Sequence, residues 1–259
     1  MTNTANPTNS EAWWQTLYDG TVAALFLERE PEQLQRETDC LARLLAVQPG
    51  ASLFDQCCGT GTQALALARR GFTVHGVDQA AEYAASANAK AKTDDLKATF
   101  VAADARSYRP PQRHAAGYNW GTSFGNGLDA ADHLAMLEAA RDALLPGARF
   151  AVEFPNMIHL LGRFQAVLTR RKQLEDGEWL VVRECTIDHH HGALRQTWTI
   201  LAPDGRRRSV DTSVRLYLPH ELREHMEAAG FCEVQLFGAP DGTPLEGHHA
   251  RCLAVGRAS

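Results

Sequence analysis

Three aspartates and a pair of glycines carry the chemistry most visible in this sequence. Gly59-Thr60-Gly61 lies between an apolar run, Ser52-Leu53-Phe54-Asp55, and an Ala/Leu-rich helical pattern. Glycine lets the backbone turn tightly and lets a ligand come close to the main chain. The helix N-terminus beyond it offers free N–H groups and positive potential. Asp78 closes a second apolar run, where a carboxylate can accept both hydroxyl protons of a ribose. Gly59 to Ala64 also fits the G-x-G-x-x-A fingerprint, with Asp78 near the expected offset, so these residues alone suit a dinucleotide equally well. Two further carboxylates tip the balance. Asp55 ends the first strand before the glycines, and Asp104 ends a third after Phe100-Val101-Ala102. A ligand with an ammonium group, a ribose and an adenine uses all three, whereas a dinucleotide leaves Asp55 and Asp104 idle.

The elements that must position these residues follow from periodicity. Residues 1–10 are polar and read as disordered, and 11–47 as two helical patterns broken near Pro31. Strands are expected at 52–55, 72–77, 98–102, 115–120 and 149–154. Helices are expected after the glycines, through Ala64, Leu65, Leu67 and Ala68 and ending at Gly71, and at 80–92 and 129–145, the last stopping at Pro146-Gly147. Strands alternating with helices predict a parallel α/β sheet with helices on both faces. The alternation fails between 156 and 217. There Trp179–Val182, Leu194–Leu201 and Ser209–Leu218 are strand-like and separated by turn signals, which predicts an inserted antiparallel meander. A helix at 219–229 and strands at 231–237 and 250–255 complete the chain. The expected division is a disordered 1–10, a core at 11–155, the insertion at 156–217 as a substrate cover, and a completion of the core sheet at 218–259.

Residues 53–61, Leu-Phe-Asp-Gln-Cys-Cys-Gly-Thr-Gly, resemble motif I of class I S-adenosylmethionine (SAM)-dependent methyltransferases. Val74–Asp78 resembles motif II and Val101–Ala105 motif III, and Leu144–Phe150 is similar to the family's helix-to-strand-five signature. Asn119–Gly125, Arg215-Leu216-Tyr217 and Glu221-Leu222 resemble segments of a small-molecule methyltransferase subgroup, so the resemblance spans roughly residues 11–257. It implies a Rossmann-like seven-stranded sheet, with N-terminal helices and the β insertion after strand five. It also implies SAM as methyl donor and S-adenosylhomocysteine as product. Asp55 and the backbone around Cys57, Gly59 and Gly61 would hold the methionyl part, and Cys57 stands where the family usually has glycine. Asp78 would take the ribose hydroxyls with Gln79 beside the adenine, and Asp104 and Ala105 would meet the adenine edge. Asn119 and Trp120 would border the methyl donor, and Tyr18 would close over its amino-acid end. A SAM-fold enzyme that does not methylate, such as a cyclase, has the same cofactor half; a nicotinamide-dependent oxidoreductase is the more distant alternative.

Methyl transfer from a sulfonium is an in-line displacement in which the protein chiefly supplies alignment. A hydroxyl acceptor also needs a base, and an amine need only arrive neutral. On the acceptor side, His159 is a candidate base against a structural histidine, and Trp14, Phe124 and Asn156 are candidate pocket residues against core packing. Arg215 and Tyr217, two apart on an expected strand, would share one face. His189-His190-His191 beside Asp188 suits a hairpin turn better than a metal, since alternate strand residues point apart. His248-His249 reads likewise, so no metal is expected.

With 26 Lys+Arg against 31 Asp+Glu, the net charge of -5 lacks the footprint of non-specific nucleic-acid binding, and the acceptor is expected to be a small molecule. The six cysteines match no zinc spacing, and no signal pattern or long apolar stretch suggests export or membrane insertion. A reducing, cytoplasmic setting is expected, and a homodimer is left open.

Overall fold

The computed structural model describes residues 12–121 and 123–259; the expectation of disorder for 1–10 lies outside the described residues. The chain divides into two compact units. The larger comprises Asp19–Gly125, Asp129–Phe164 and Tyr217–Ser259; the smaller comprises the described residues up to Tyr18, Asn126–Leu128 and Gln165–Leu216.

The larger unit is a seven-stranded sheet with helices on both faces. Its strands are β1 (Ser52–Gln56), β2 (Thr73–Asp78), β3 (Ala98–Ala102), β4 (His114–Asn119), β5 (Leu144–Pro155), β10 (Phe231–Phe237) and β11 (Arg251–Ala258). They run in the order β3-β2-β1-β4-β5-β11-β10. The first five pair in parallel, and β11 is antiparallel to both β5 and β10. The helices are α2 (Gly20–Val22), α3 (Pro31–Leu45), α4 (Thr62–Arg69), α5 (Ala81–Thr93), α6 (Ala130–Asp142), α7 (Met157–Gly162) and α8 (Pro219–Ala228). A π-helical turn, Ala23–Leu27, follows α2.

Local chemistry sets these boundaries. Pro31 opens α3, where its missing N–H costs nothing, and Ala46 closes it in the left-handed conformation. The Asp129 carboxylate accepts from the Ala131 N–H at the start of α6. Glu221 reaches back to accept from the Leu218 N–H at 2.7 Å and fixes the start of α8. Strand alternation then divides the core. Leu53, Ala116, Tyr118 and Phe100 pack under α3, α4 and α5. Phe54, Phe150, Val152, Phe154 and Ala254 pack under α6 and α8.

The smaller unit holds the second sheet, order β6-β7-β8-β9, with β6 (Val167–Leu174), β7 (Gly177–Asp188), β8 (Ala193–Leu201) and β9 (Arg207–Arg215), all antiparallel. Helix α1 (Trp14–Leu17) belongs to this unit, and the Trp13 indole donates to the Ser213 carbonyl at 3.1 Å.

Four boundaries differ from the sequence expectation. Helix α6 ends at Asp142, not Leu145, because the His114 N–H takes the Ala143 carbonyl and Leu144 enters the sheet beside His114. The meander has a fourth strand, β6, whose Arg170-Arg171-Lys172 run hides its alternation. The short helix α7 was not foreseen either; Asn156 caps it by accepting from the Ile158 N–H. Strand β9 ends at Arg215, so Arg215 and Tyr217 do not share a strand face: Tyr217 lies in the larger unit, fully buried.

Candidate active site

The strand order reverses between β1 and β4, the place where open parallel sheets bind ligands beyond their carboxyl ends. Asp55 stands one residue before the end of β1. Its neighbour in the ladder is Tyr118, and cross-strand partners share a face. The Tyr118 hydroxyl donates to Asp55 Oδ2 at 3.0 Å. Both side chains are essentially removed from solvent. Burial, and secondarily the nearby Asp78 carboxylate, pushes the Asp55 carboxyl well above the usual carboxylate range, against the Tyr118 hydrogen bond. Asp55 is thus a buried acid with one neutral donor and no cationic partner among the described residues.

Asp78, at the end of β2, accepts from the Gly59 N–H at 2.8 Å through Oδ2 and from the Ala80 N–H at 3.0 Å through Oδ1. Each carboxylate oxygen retains a free lone pair, so the group can still accept two hydroxyl protons. Burial raises this acid too, while the backbone donors hold it down.

The loop between β1 and α4 is bent by three left-handed residues, Cys57, Gly59 and Gly61. At Gly61 the bend excludes any side chain: an added Cβ would lie 2.8 Å from the Phe100 ring. Cys57 holds the same backbone region with a side chain, at φ 61°. Burial and then Asp78 push its thiol far up, so it is no thiolate nucleophile. The π-helical turn lies against this loop: the Thr62 hydroxyl donates to the Leu27 carbonyl, and the space above Gly59 is bounded by Leu27.

Asp104 follows β3, but Arg106 clamps its carboxylate at 2.6–3.0 Å and also pairs with Asp132 at 2.7 Å. That guanidinium holds the Asp104 carboxyl below its ordinary value. The structure therefore brings Asp55, Cys57, Asp78, Gly59 and Gly61 together, whereas Asp104 is exposed and engaged by its own arginine.

Sequence reasoning passed over Gln56 and Tyr118. Gln56 Nε2 donates to the Met136 carbonyl at 2.8 Å and the Ala105 carbonyl at 3.3 Å, and its Oε1 accepts from Asn119 Nδ2 at 3.2 Å. One buried amide thereby ties the ends of β1 and β4 to α6 and to the segment after β3. The available signal was a polar residue closing an otherwise apolar strand. Among the described residues Asn119 Oδ1 is buried without a partner, an acceptor at the reversal point. The Gly121 N–H donates to Glu153 Oε2 at 2.9 Å, anchoring the segment that carries the half-buried Trp120; Glu153 Oε1 in turn pairs with Arg251. Gln79, half-buried, follows Asp78 directly.

The acceptor-side candidates are scattered. His159 is half-buried on α7. Asn156 is fully buried, and its amide donates to the Glu246 and His249 carbonyls. Phe124 and Tyr217 are buried in an aromatic cluster with Phe154 and His133, whose Nδ1 lies 2.7 Å from the Tyr217 hydroxyl. Trp14, Tyr18 and Arg215 belong to the smaller unit, where Trp13 packs against Trp14 and Tyr18 and Arg215 donates to the Leu128 carbonyl. His191 pairs with Asp188 at 2.8 Å, and among the described residues no three His, Cys, Asp or Glu side chains are grouped to hold a metal. Among the same residues no helix is long and apolar enough to cross a membrane.

Residues 53–147 match the family model of a methyltransferase domain. Over that stretch the chain is similar to methyltransferase domains. The fold agrees over nearly the whole chain. The CcbJ methyltransferase of Streptomyces caelestis superposes with a TM-score of 0.74 at 20% identity, covering 92% of this chain and 96% of that one. DesVI of Streptomyces venezuelae gives 0.71 at 22% identity, covering 92% and 98%. SAM-bound CalS10, an amino pentose methyltransferase of Micromonospora echinaspora, gives 0.69 at 21% identity, covering 94% and 98%. No curated protein sequence matches. The matched domain displaces the dinucleotide reading of the glycine motif. The residues at the reversal point fit SAM on their own chemistry: among the described residues, a buried carboxylate lacks a cation and a buried amide oxygen lacks a donor, and beside them the chain bends sharply at Gly61, where no side chain fits.

Proposed function

We propose that this methyltransferase moves the methyl group of SAM to a nitrogen, oxygen or carbon of a small metabolite. SAM supplies an electrophilic methyl on a sulfonium sulfur and an amino-acid tail with an ammonium group. The observation that carries the reading is Asp55, a desolvated carboxylate at the sheet reversal, held by Tyr118 and lacking a countercharge. An ammonium is the group such a site favours, since opposite charge lowers a raised carboxyl back into its ionised range. Asp78 offers two acceptors for vicinal hydroxyls, and the Cys57–Gly61 bend lets the main chain meet the ligand closely. Asn119, locked by Gln56, presents a fixed carbonyl beside them. These groups bind and orient; alignment is the main catalytic requirement of a methyl displacement.

The small-molecule acceptor is supported by the neighbours, among them a sugar N-methyltransferase and an amino pentose methyltransferase. An amine that arrives neutral needs no strong base, and the Glu153 carboxylate on β5 is already occupied by Gly121 and Arg251. His159 remains the candidate for a hydroxyl acceptor. The test is incubation of the enzyme and isotopically labelled SAM with extracts of its host, read by mass spectrometry. Expected are a labelled low-mass product and stoichiometric S-adenosylhomocysteine. Cofactor turnover without a labelled product, or a label found only on protein or RNA, overturns the proposal.

A further inference from the structure

Gln56 and Asn119 close the neighbouring strands β1 and β4, and both are buried. A side-chain amide can be turned two ways, and here the surrounding chain fixes which. Gln56 Nε2 stands 2.8 Å from the Met136 carbonyl of α6 and 3.3 Å from the Ala105 carbonyl. Carbonyl oxygens only accept, so the Gln56 nitrogen faces them and its oxygen faces Asn119. That oxygen needs a donor, and the one donor on the Asn119 side chain is Nδ2, 3.2 Å away. Two backbone carbonyls thereby set the orientation of a second amide through the first.

Cys57 engages the same amide. A hydrogen bond from Asn119 works against the burial that raises the Cys57 thiol, and a bond that favours a thiolate is donated, again by Nδ2. With the nitrogen so committed, Oδ1 is the end left over; it is buried and has no donor among the described residues. Turning the amide over would set Oδ1 against Gln56 Oε1, two acceptors face to face, so the oxygen stays where it is. All of these residues belong to the larger unit, and Asn119 directly follows Tyr118, whose hydroxyl holds Asp55. A buried oxygen without a donor favours a positively charged ligand atom. SAM carries two, and Asp55 accounts for the ammonium, which leaves the sulfonium.

We propose that Gln56 is a positioning residue for the cofactor: by holding the Asn119 nitrogen it turns the Asn119 oxygen toward the sulfonium of SAM. The site then favours SAM over S-adenosylhomocysteine, whose sulfur is uncharged, and so favours release of the product. The proposal rests on the methyl-transfer reading above.

The test is calorimetric titration of the full chain with SAM and with S-adenosylhomocysteine. Q56M keeps the length of the side chain without donor or acceptor and frees the Asn119 amide to turn. SAM binding should weaken about 10-fold and S-adenosylhomocysteine binding much less, so that the preference for SAM falls about 3-fold or more. Loss of packing alone would weaken both ligands equally. N119A should lower the same preference, and adding Q56M to N119A should lower it no further, because no amide is left to turn. Should Q56M fail to fold, the unsubstituted chain answers by NMR with labelled asparagine. SAM should then shift the Asn119 side-chain carbonyl carbon more than S-adenosylhomocysteine does, while the Asn119 NH2 protons stay protected from exchange. Equal losses of the two ligands in Q56M, an unchanged preference in N119A, a further fall in the double variant, or NH2 protons exposed by SAM overturns the proposal alone. If neither ligand binds the unsubstituted chain, the methyl-transfer reading falls and this proposal with it.

Discussion

Replacing Asp55 with asparagine should make the ligand-free protein more stable and the liganded protein much weaker. In the free protein the Asp55 carboxyl is raised by burial and by Asp78. A carboxyl whose folded pKa lies above its unfolded value gives stability that is fully present below the unfolded pKa. That stability is lost as pH rises through the folded pKa. The wild-type chain therefore carries a penalty at neutral pH that D55N lacks, and the melting difference in favour of D55N should widen from pH 4 towards pH 8. Asparagine keeps an acceptor for the Tyr118 hydroxyl, so that hydrogen bond is not what changes. Ligand binding should respond in the opposite sense. Breaking a buried ion pair costs about 3–5 kcal/mol, which corresponds to about two to three and a half decades in affinity. Calorimetric titration with SAM and with S-adenosylhomocysteine checks this. Both carry the ammonium but only SAM carries the sulfonium, so equal losses place Asp55 on the ammonium. Wild-type affinity in D55N, or a ligand-free D55N that melts below wild type at pH 8, would refute the reasoning.

Other outcomes follow from the same geometry. Y118F removes the one donor that favours ionised Asp55; SAM affinity should fall about 10-fold or more, as for a hydrogen bond to a charged group, and more protons should be released on binding, measured by calorimetry in buffers of different ionisation enthalpy. G61A places a methyl 2.8 Å from the Phe100 ring in a left-handed residue; overpacking and strain together should cost about 2–4 kcal/mol in urea unfolding. His114 is buried with both ring nitrogens unpartnered among the described residues, and burial lowers its pKa to about 4. Its stability contribution should therefore be lost as pH falls through an imidazole's ordinary 6.5 towards 4. H114F should remove up to about 3 kcal/mol of that acid dependence, and an unchanged slope between pH 4 and 6.5 sinks this account.

The sequence by itself determined the parallel α/β core, because β1, β2 and β3 are short apolar runs with an acid at or just beyond their ends, and β4 runs out at a glycine. Asp55, Asp78, Gly59 and Gly61 were legible because strand ends and tight bends are local properties. Their neighbours were not. Tyr118 reads as one more apolar strand residue until register sets it opposite Asp55, and Gln56 gains meaning only when β4 and α6 arrive beside it. Asp104 fits the motif by position, yet Arg106 takes its carboxylate, since the turn after β3 brings residues two apart into contact. Strand β6 was hidden by its basic run, and it exists because β7 supplies a partner across its whole length. Tyr217 was assigned to a strand by alternation, but its hydroxyl meets His133 in the core of the other unit. Motifs are written in consecutive residues and survive a reading of the chain alone. Register, burial and the pairing of charges depend on residues far apart in sequence, so only the folded structure could decide them.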